Sequence, residues 1–154
     1  MGSSERDRLL AQVREGYPTI APDLLEPLLR FMTIARGTTG GDIDKIMILL
    51  VVAVRSMQHP DFATYTIEDL QAGRIPILPT LGVNIRSIAD STGMPRESVR
   101  RKVSELVDAG WLVKDGNQIH YTAVAYAEME PARGAIEAMA VRYHEVVKRF
   151  PDEG

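Results

Sequence analysis

Apolar residues recur at three- and four-residue steps through most of the chain, and this period predicts helices; it gives way to short strand-like runs only after Gly110. A first helix is expected around Ser4–Glu15, with Leu9, Leu10 and Val13 on one side, and Gly16-Tyr17-Pro18 is expected to break it. A second runs from Pro22 to Arg36 with Leu24, Leu25, Leu28, Leu29 and Met32 inward, Pro27 being tolerable only in or near its first turns. Gly37-Thr38-Thr39-Gly40-Gly41 reads as a flexible loop, and no Gly-Lys-Ser/Thr follows it to make a phosphate loop. Asp42 then caps the most apolar segment, Ile43 to Met57. Its uninterrupted run Ile46–Val54 is nine residues long, far short of the roughly twenty needed to span a bilayer. A helix buried nearly all round is expected instead, either central to the domain or partly facing another subunit. His59-Pro60 ends it, Thr66 caps a single turn through Leu70, and the prolines of Ile75-Pro76-Ile77-Leu78-Pro79 require an extended connection, or a strap across a dimer.

From Asn84 to Thr122 the pattern becomes two short helices, a tight turn and a hairpin. Asn84 caps a helix whose inner face is Ile85, Ile88 and Ala89, and Gly93 ends it in the left-handed conformation that glycine adopts cheaply. Pro95 or Arg96 opens a second helix with Val99, Val103, Leu106 and Val107 inward. Its outer face is then Arg96, Glu97, Arg100, Arg101 and Ser104, with Lys102 beside them, side chains able to reach base edges and phosphates if the helix lies in a major groove. Trp111-Leu112-Val113 and Ile119-His120-Tyr121-Thr122 are two strands around an Asp115-Gly116 turn signal, and they place Lys114 near the phosphate backbone. Helix, turn, helix and hairpin in that order are a winged helix-turn-helix. A winged helix used only for protein interaction is the competing reading, since fold alone does not give function.

Gly93-Met94-Pro95-Arg96-Glu97-Ser98-Val99-Arg100-Arg101 resembles the G-x-S-R-E-T-V-x-R segment of the cyclic-AMP receptor class of bacterial regulators. Leu106 to Leu112 is similar to the L-x-x-x-G-[LW]-[LIV] segment that closes the recognition helix in many winged-helix regulators, including MarR-like ones. The resemblance implies base and backbone contacts by Arg96, Glu97 and Arg101. It covers about a quarter of the chain, and nothing upstream resembles a cyclic-nucleotide-binding β-roll, so that ligand does not carry over. Lys102 departs from the pattern, which has an apolar residue there; its stem must pack while its head reaches solvent or phosphate.

After the hairpin, Ala123–Phe150 returns to helix with a kink expected at Pro131. Ile136, Met139, Ala140, Tyr143, Val146, Val147 and Phe150 form a seam, read as the contact that pairs two chains, the alternative being packing on the N-terminal helices.

Charge narrows the function. At −3 overall, the chain is no simple basic nucleic-acid binder, so any DNA contact must come from a local patch. Residues 80–122 are the only positive segment, with 6 basic and 5 acidic groups, and Asp90, Glu105 and Asp108 are expected to lie away from the outer face. The absence of cysteine and of an apolar leader suits a cytoplasmic protein, and the three histidines are too scattered to hold a metal. No nucleophile or paired-carboxylate motif appears, so no enzyme, cofactor or metal is expected. The sequence therefore predicts a mainly α (α+β) protein in three parts: a helical region 1–79, a winged helix-turn-helix 80–122, and a C-terminal helix 123–154. Its expected function is sequence-specific binding of double-stranded DNA by a homodimeric bacterial-type transcriptional regulator, through Arg96, Glu97, Arg100, Arg101, Lys102, Ser104 and Lys114.

Overall fold

A computed structural model describes residues 1–151. It is mainly helical with one two-stranded antiparallel sheet: α1 (Ser3–Thr38), α2 (Ile43–Met57), a 3-10 turn (Phe62–Thr64), α3 (Ile67–Gln71), α4 (Ile85–Thr92), α5 (Arg96–Asp108), β1 (Leu112–Asp115), β2 (Gln118–Tyr121), α6 (Ala123–Glu128) and α7 (Glu130–Val147). Among the described residues no helix is long and apolar enough to cross a membrane. The chain forms two compact units, Ala35–Glu130 and Met1–Ile34 with the chain from Pro131 on, so the expected divisions at residues 79 and 122 do not coincide with them.

In the unit Ala35–Glu130, α2 is the central element. Asp42 caps it by accepting the Lys45 amide at 3.2 Å. Ile46, Ile48, Leu49, Val52 and Ala53 are buried, whereas Met47, Val54 and Met57 are exposed, so α2 buries one broad face rather than its whole circumference. That face packs against α4, α5 and β2. α4 opens with a reciprocal capping box, Asn84 and Ser87 each bonding the other's backbone amide at 2.9 Å, and closes at Gly93 with φ 74°. Ile88 and Ala89 from α4 meet Val99, Val103 and Leu106 from α5 in the core.

The hairpin pairs Leu112 with Tyr121 through Asp115 with Gln118, leaving Gly116-Asn117 as a two-residue turn. Positive φ falls on Gly116 alone, at 58°, the requirement of a type II′ turn. The extended segment before α4 lies along the hairpin: Leu78 N–H donates to Tyr121 O at 2.9 Å, Ala123 N–H to Pro76 O at 3.0 Å, and Ile119 N–H to Val83 O at 2.8 Å. Leu78 and Val83 are each 1% exposed, so this strap serves its own chain's core rather than crossing to a partner.

In the other unit α1 and α7 run antiparallel. Gln12 donates to Pro151 O, Asp23 accepts from Arg142 and from Arg149, and the Tyr143 hydroxyl donates to Leu24 O at 2.9 Å. The expected break at Gly16-Tyr17-Pro18 is absent. α1 continues for 36 residues with Pro18, Pro22 and Pro27 inside it, and Pro27 lies deep in its interior rather than in a first turn. The Thr19 hydroxyl donates to Gly16 O at 2.9 Å, one turn back along the same helix. Gly16 acts through its lack of a side chain, because a Cβ there would stand 3.0 Å from the Phe150 ring. The C-terminal seam therefore faces α1 within the chain: Val146 is buried, and Tyr143 and Phe150 contact α1, while Ile136 and Ala140 stay exposed. Instead of a kink at Pro131, the helix breaks after Glu128 and Pro131 occupies the second position of α7, where its missing N–H costs nothing.

Candidate nucleic-acid interface

Three elements bring polar side chains to one concave surface. α4 supplies Asn84 and Arg86 at its N-terminus, α5 supplies Arg96 and Arg100 from its first two turns, and the hairpin supplies Lys114 and Asn117. Together they line a groove of about 280 Å³. The local sequence explains the convergence. The Asn84–Ser87 capping box fixes the start of α4, the positive φ of Gly93 reverses the chain, and Pro95 at φ −59° precedes the first residue of α5. The II′ turn then projects Lys114 and Asn117 from the hairpin beside that start.

Of the residues predicted from sequence, Arg96, Arg100 and Lys114 meet in this groove. Glu97, Arg101 and Ser104 are exposed and follow one another at four- and three-residue steps, forming the outermost ridge of α5 rather than the groove wall. Asp108 is exposed and continues that ridge, so it does not lie away from the outer face. Lys102 is the clear correction. Its side chain is 13% exposed and its ammonium binds the Asp42 carboxylate at 2.5 Å, tying α5 to the start of α2. Glu105 does turn away as expected, with its carboxylate 2.8 Å from the Lys45 ammonium.

Arg86, Asn84 and Asn117 were not singled out as site residues from sequence. Asn84 was legible only as a cap and Asn117 only as part of a turn. Arg86 had a weak signal, an exposed base in the first turn of the helix that precedes α5. Nothing in the local pattern places that turn beside the hairpin tip.

The electrostatics are mixed. Arg100 pairs with Glu97 one turn back, and Arg86 lies 4.0 Å from Asp90, again contrary to the expected absence of Asp90 from this side. No ion pair is formed among the described residues by Arg96 or Lys114. Behind the groove, the hydrogen bond from Lys45 holds the Glu105 carboxyl below its ordinary range, with further pull from Arg101 and Lys102. Burial pushes the Asp42 carboxyl up, but the Lys102 ammonium and the Lys45 amide together pull it down further, and the net is a lowering. These pairs remove two cations, Lys45 and Lys102, from use on the outer surface and make them structural.

Four cations and two carboxamides around one groove can hold an anionic polymer: arginine and lysine on phosphate, and amides or guanidinium groups on base edges. The described residues contain no group of three or more His, Cys, Asp or Glu that could hold a metal. His59 Nδ1 accepts the Asp61 amide at 3.1 Å, holding its own loop, and His120 Nδ1 lies 2.9 Å from Leu78 O, joining β2 to the segment before α4. Comparison of the chain with family models, with curated proteins and with solved structures finds no match.

Proposed function

We propose that residues 84–122 are a winged helix-turn-helix that binds double-stranded DNA sequence-specifically, and that the protein is a transcriptional regulator. α5 enters the major groove along its Glu97, Arg101 and Ser104 ridge, and the hairpin is the wing. The single observation that carries the reading is the convergence of Arg86, Arg96, Arg100 and Lys114, from three separate elements, on one groove beside the N-terminal half of α5. In a protein of net charge −3, such a local concentration supplies the phosphate contacts that the surface as a whole does not. Arg96 forms no ion pair among the described residues and stands at the first residue of α5, the part of a recognition helix that meets base edges. Lys102 has no part in this contact.

The opposing observation is the pairing of Glu97 with Arg100 and of Asp90 with Arg86, which neutralises part of the patch and favours a winged helix that docks a protein instead. Selection of bound fragments from a genomic DNA pool by the purified full chain separates the two. Enrichment of one shared sequence, with a measured preference over shuffled DNA, supports the DNA reading. Recovery of no sequence above background at low salt leaves the protein-docking reading in its place.

A further inference from the structure

The long helix α1 presents two distinct faces. One side, marked by Gly16, the buried Ile20 and Asp23, faces α7. At about 100° per residue a second face, centred roughly 140° round the helix, carries Leu10, Tyr17, Leu25, Leu28, Leu29 and Met32, which remain 40%, 46%, 53%, 43%, 66% and 44% exposed. Arg14 is the one charge within this stripe. Taking about 180 Å² for a fully exposed leucine or methionine and about 220 Å² for tyrosine, the six leave roughly 550 Å² of apolar surface per chain. Two copies facing each other would then bury roughly 1,100 Å², above the roughly 1,000 Å² that a specific interface needs.

We propose that this stripe is a homodimer interface, in which α1 packs antiparallel on α1 of a second copy about a two-fold axis at Ala21. The stripe is self-complementary about that residue. Leu10 lies as far before Ala21 as Met32 lies after it, and Tyr17 as far before as Leu25 after, so the two-fold sets Leu10 against Met32 and Tyr17 against Leu25 of the partner. Arg14 falls opposite Leu28 and can lay its methylene stem along it while the guanidinium reaches water. Ala21 is the small residue at the crossing, where the two backbones approach most closely. An unrelated partner would need a matching ridge of about 33 Å, whereas α1 supplies one to itself. The interface differs from the C-terminal seam expected from sequence, whose Tyr143, Val146 and Phe150 are already used against α1 of the same chain.

The chain has no cysteine, so single cysteines placed in it report proximity without background. Under mild oxidation Ala21→Cys in the full-length protein forms a covalent dimer, while Ala138→Cys, on an exposed position of α7, stays monomeric on a denaturing gel. Sedimentation of the wild-type chain at micromolar concentration gives twice 17.1 kDa, and Leu25→Glu with Leu29→Glu gives 17.1 kDa with unchanged helical circular dichroism. A wild-type monomer, or equal cross-linking at positions 21 and 138, overturns the interface. Neither measurement involves DNA: a monomer that binds a single half-site discards this interface and leaves the DNA reading, and a dimer that binds no DNA does the reverse.

Discussion

Lys102 and Arg96 sit six residues apart on one helix, and their environments assign them opposite work. The Lys102 ammonium is enclosed against Asp42, so Lys102→Ala is expected to lower stability by about 1–2 kcal/mol while changing the DNA affinity of the folded protein less than twofold. Arg96→Ala is expected to do the converse, costing about 1–3 kcal/mol of specific affinity and relaxing preference at one base position, with the melting temperature unchanged. Urea titrations and fluorescence anisotropy on the two variants check this, and equal affinity losses would return Lys102 to the DNA face. The Asp42 partner adds a pH signature. Its folded carboxyl titrates below the ordinary aspartate value of 3.8, so its contribution is fully present above that value and is lost as pH falls through the folded one. The stability gap between wild type and Asp42→Asn should therefore be constant near neutrality and narrow only below about pH 4. A gap that changes between pH 5 and 7 would point to another group. At this scale the sequence was half legible. Periodicity says which face of α5 is inward, but Lys102 lies on the flank between faces, where only the position of Asp42, sixty residues away, decides its direction.

Elements were legible where their ends carry their own chemistry. Asp42, Thr66 and Asn84, each expected as a cap, accept the amide three residues on, and the helices they open begin one residue later; Thr122, expected at the end of a strand, caps α6 in the same way. Gly93 and Gly116 likewise mark real reversals through positive φ. Because a Cβ at Gly93 would meet nothing within 4 Å, Gly93→Ala should cost about 1 kcal/mol, from the backbone conformation alone. A much larger loss by thermal denaturation would mean that the turn is packed as well as bent. α1 was the element misread, since glycine and proline signal a break only when nothing else holds the helix, and α7 runs alongside residues 12–24. The prolines of residues 75–79 make that segment legible as extended but do not place it, because which strand it lies along depends on the bond from Leu78 N–H to Tyr121 O, far along the chain. Leu78→Ala should cost about 2–5 kcal/mol by the same urea titration, and a loss under about 1 kcal/mol would show that the strap is an accessory to the hairpin.

For the molecule as a whole, charge sets how DNA would be met. Each chain carries −3, and a pair carries twice that, so the bulk of the surface repels a nucleic acid while the groove attracts it. Contact then depends on short-range phosphate neutralisation by Arg86, Arg96, Arg100 and Lys114. If each of the four meets one phosphate, the logarithm of affinity should fall with the logarithm of salt at a slope of about −3.6 per chain, and nearer −2 if Arg86 and Arg100 stay bound to Asp90 and Glu97. Replacing Lys114 with alanine should weaken all sequences alike and make the slope shallower by about one unit. Converting Asp90 and Glu97 to their amides frees two arginines and should steepen it by up to about two, without altering which sequence is preferred, unless Glu97 itself reads a base. That exception is what the resemblance to the cyclic-AMP receptor class implies for Glu97, so the double-amide variant decides between a positioning and a reading role for it. A wild-type slope shallower than about −1 would mean that the groove meets no phosphates and would favour a protein as the occupant of this face.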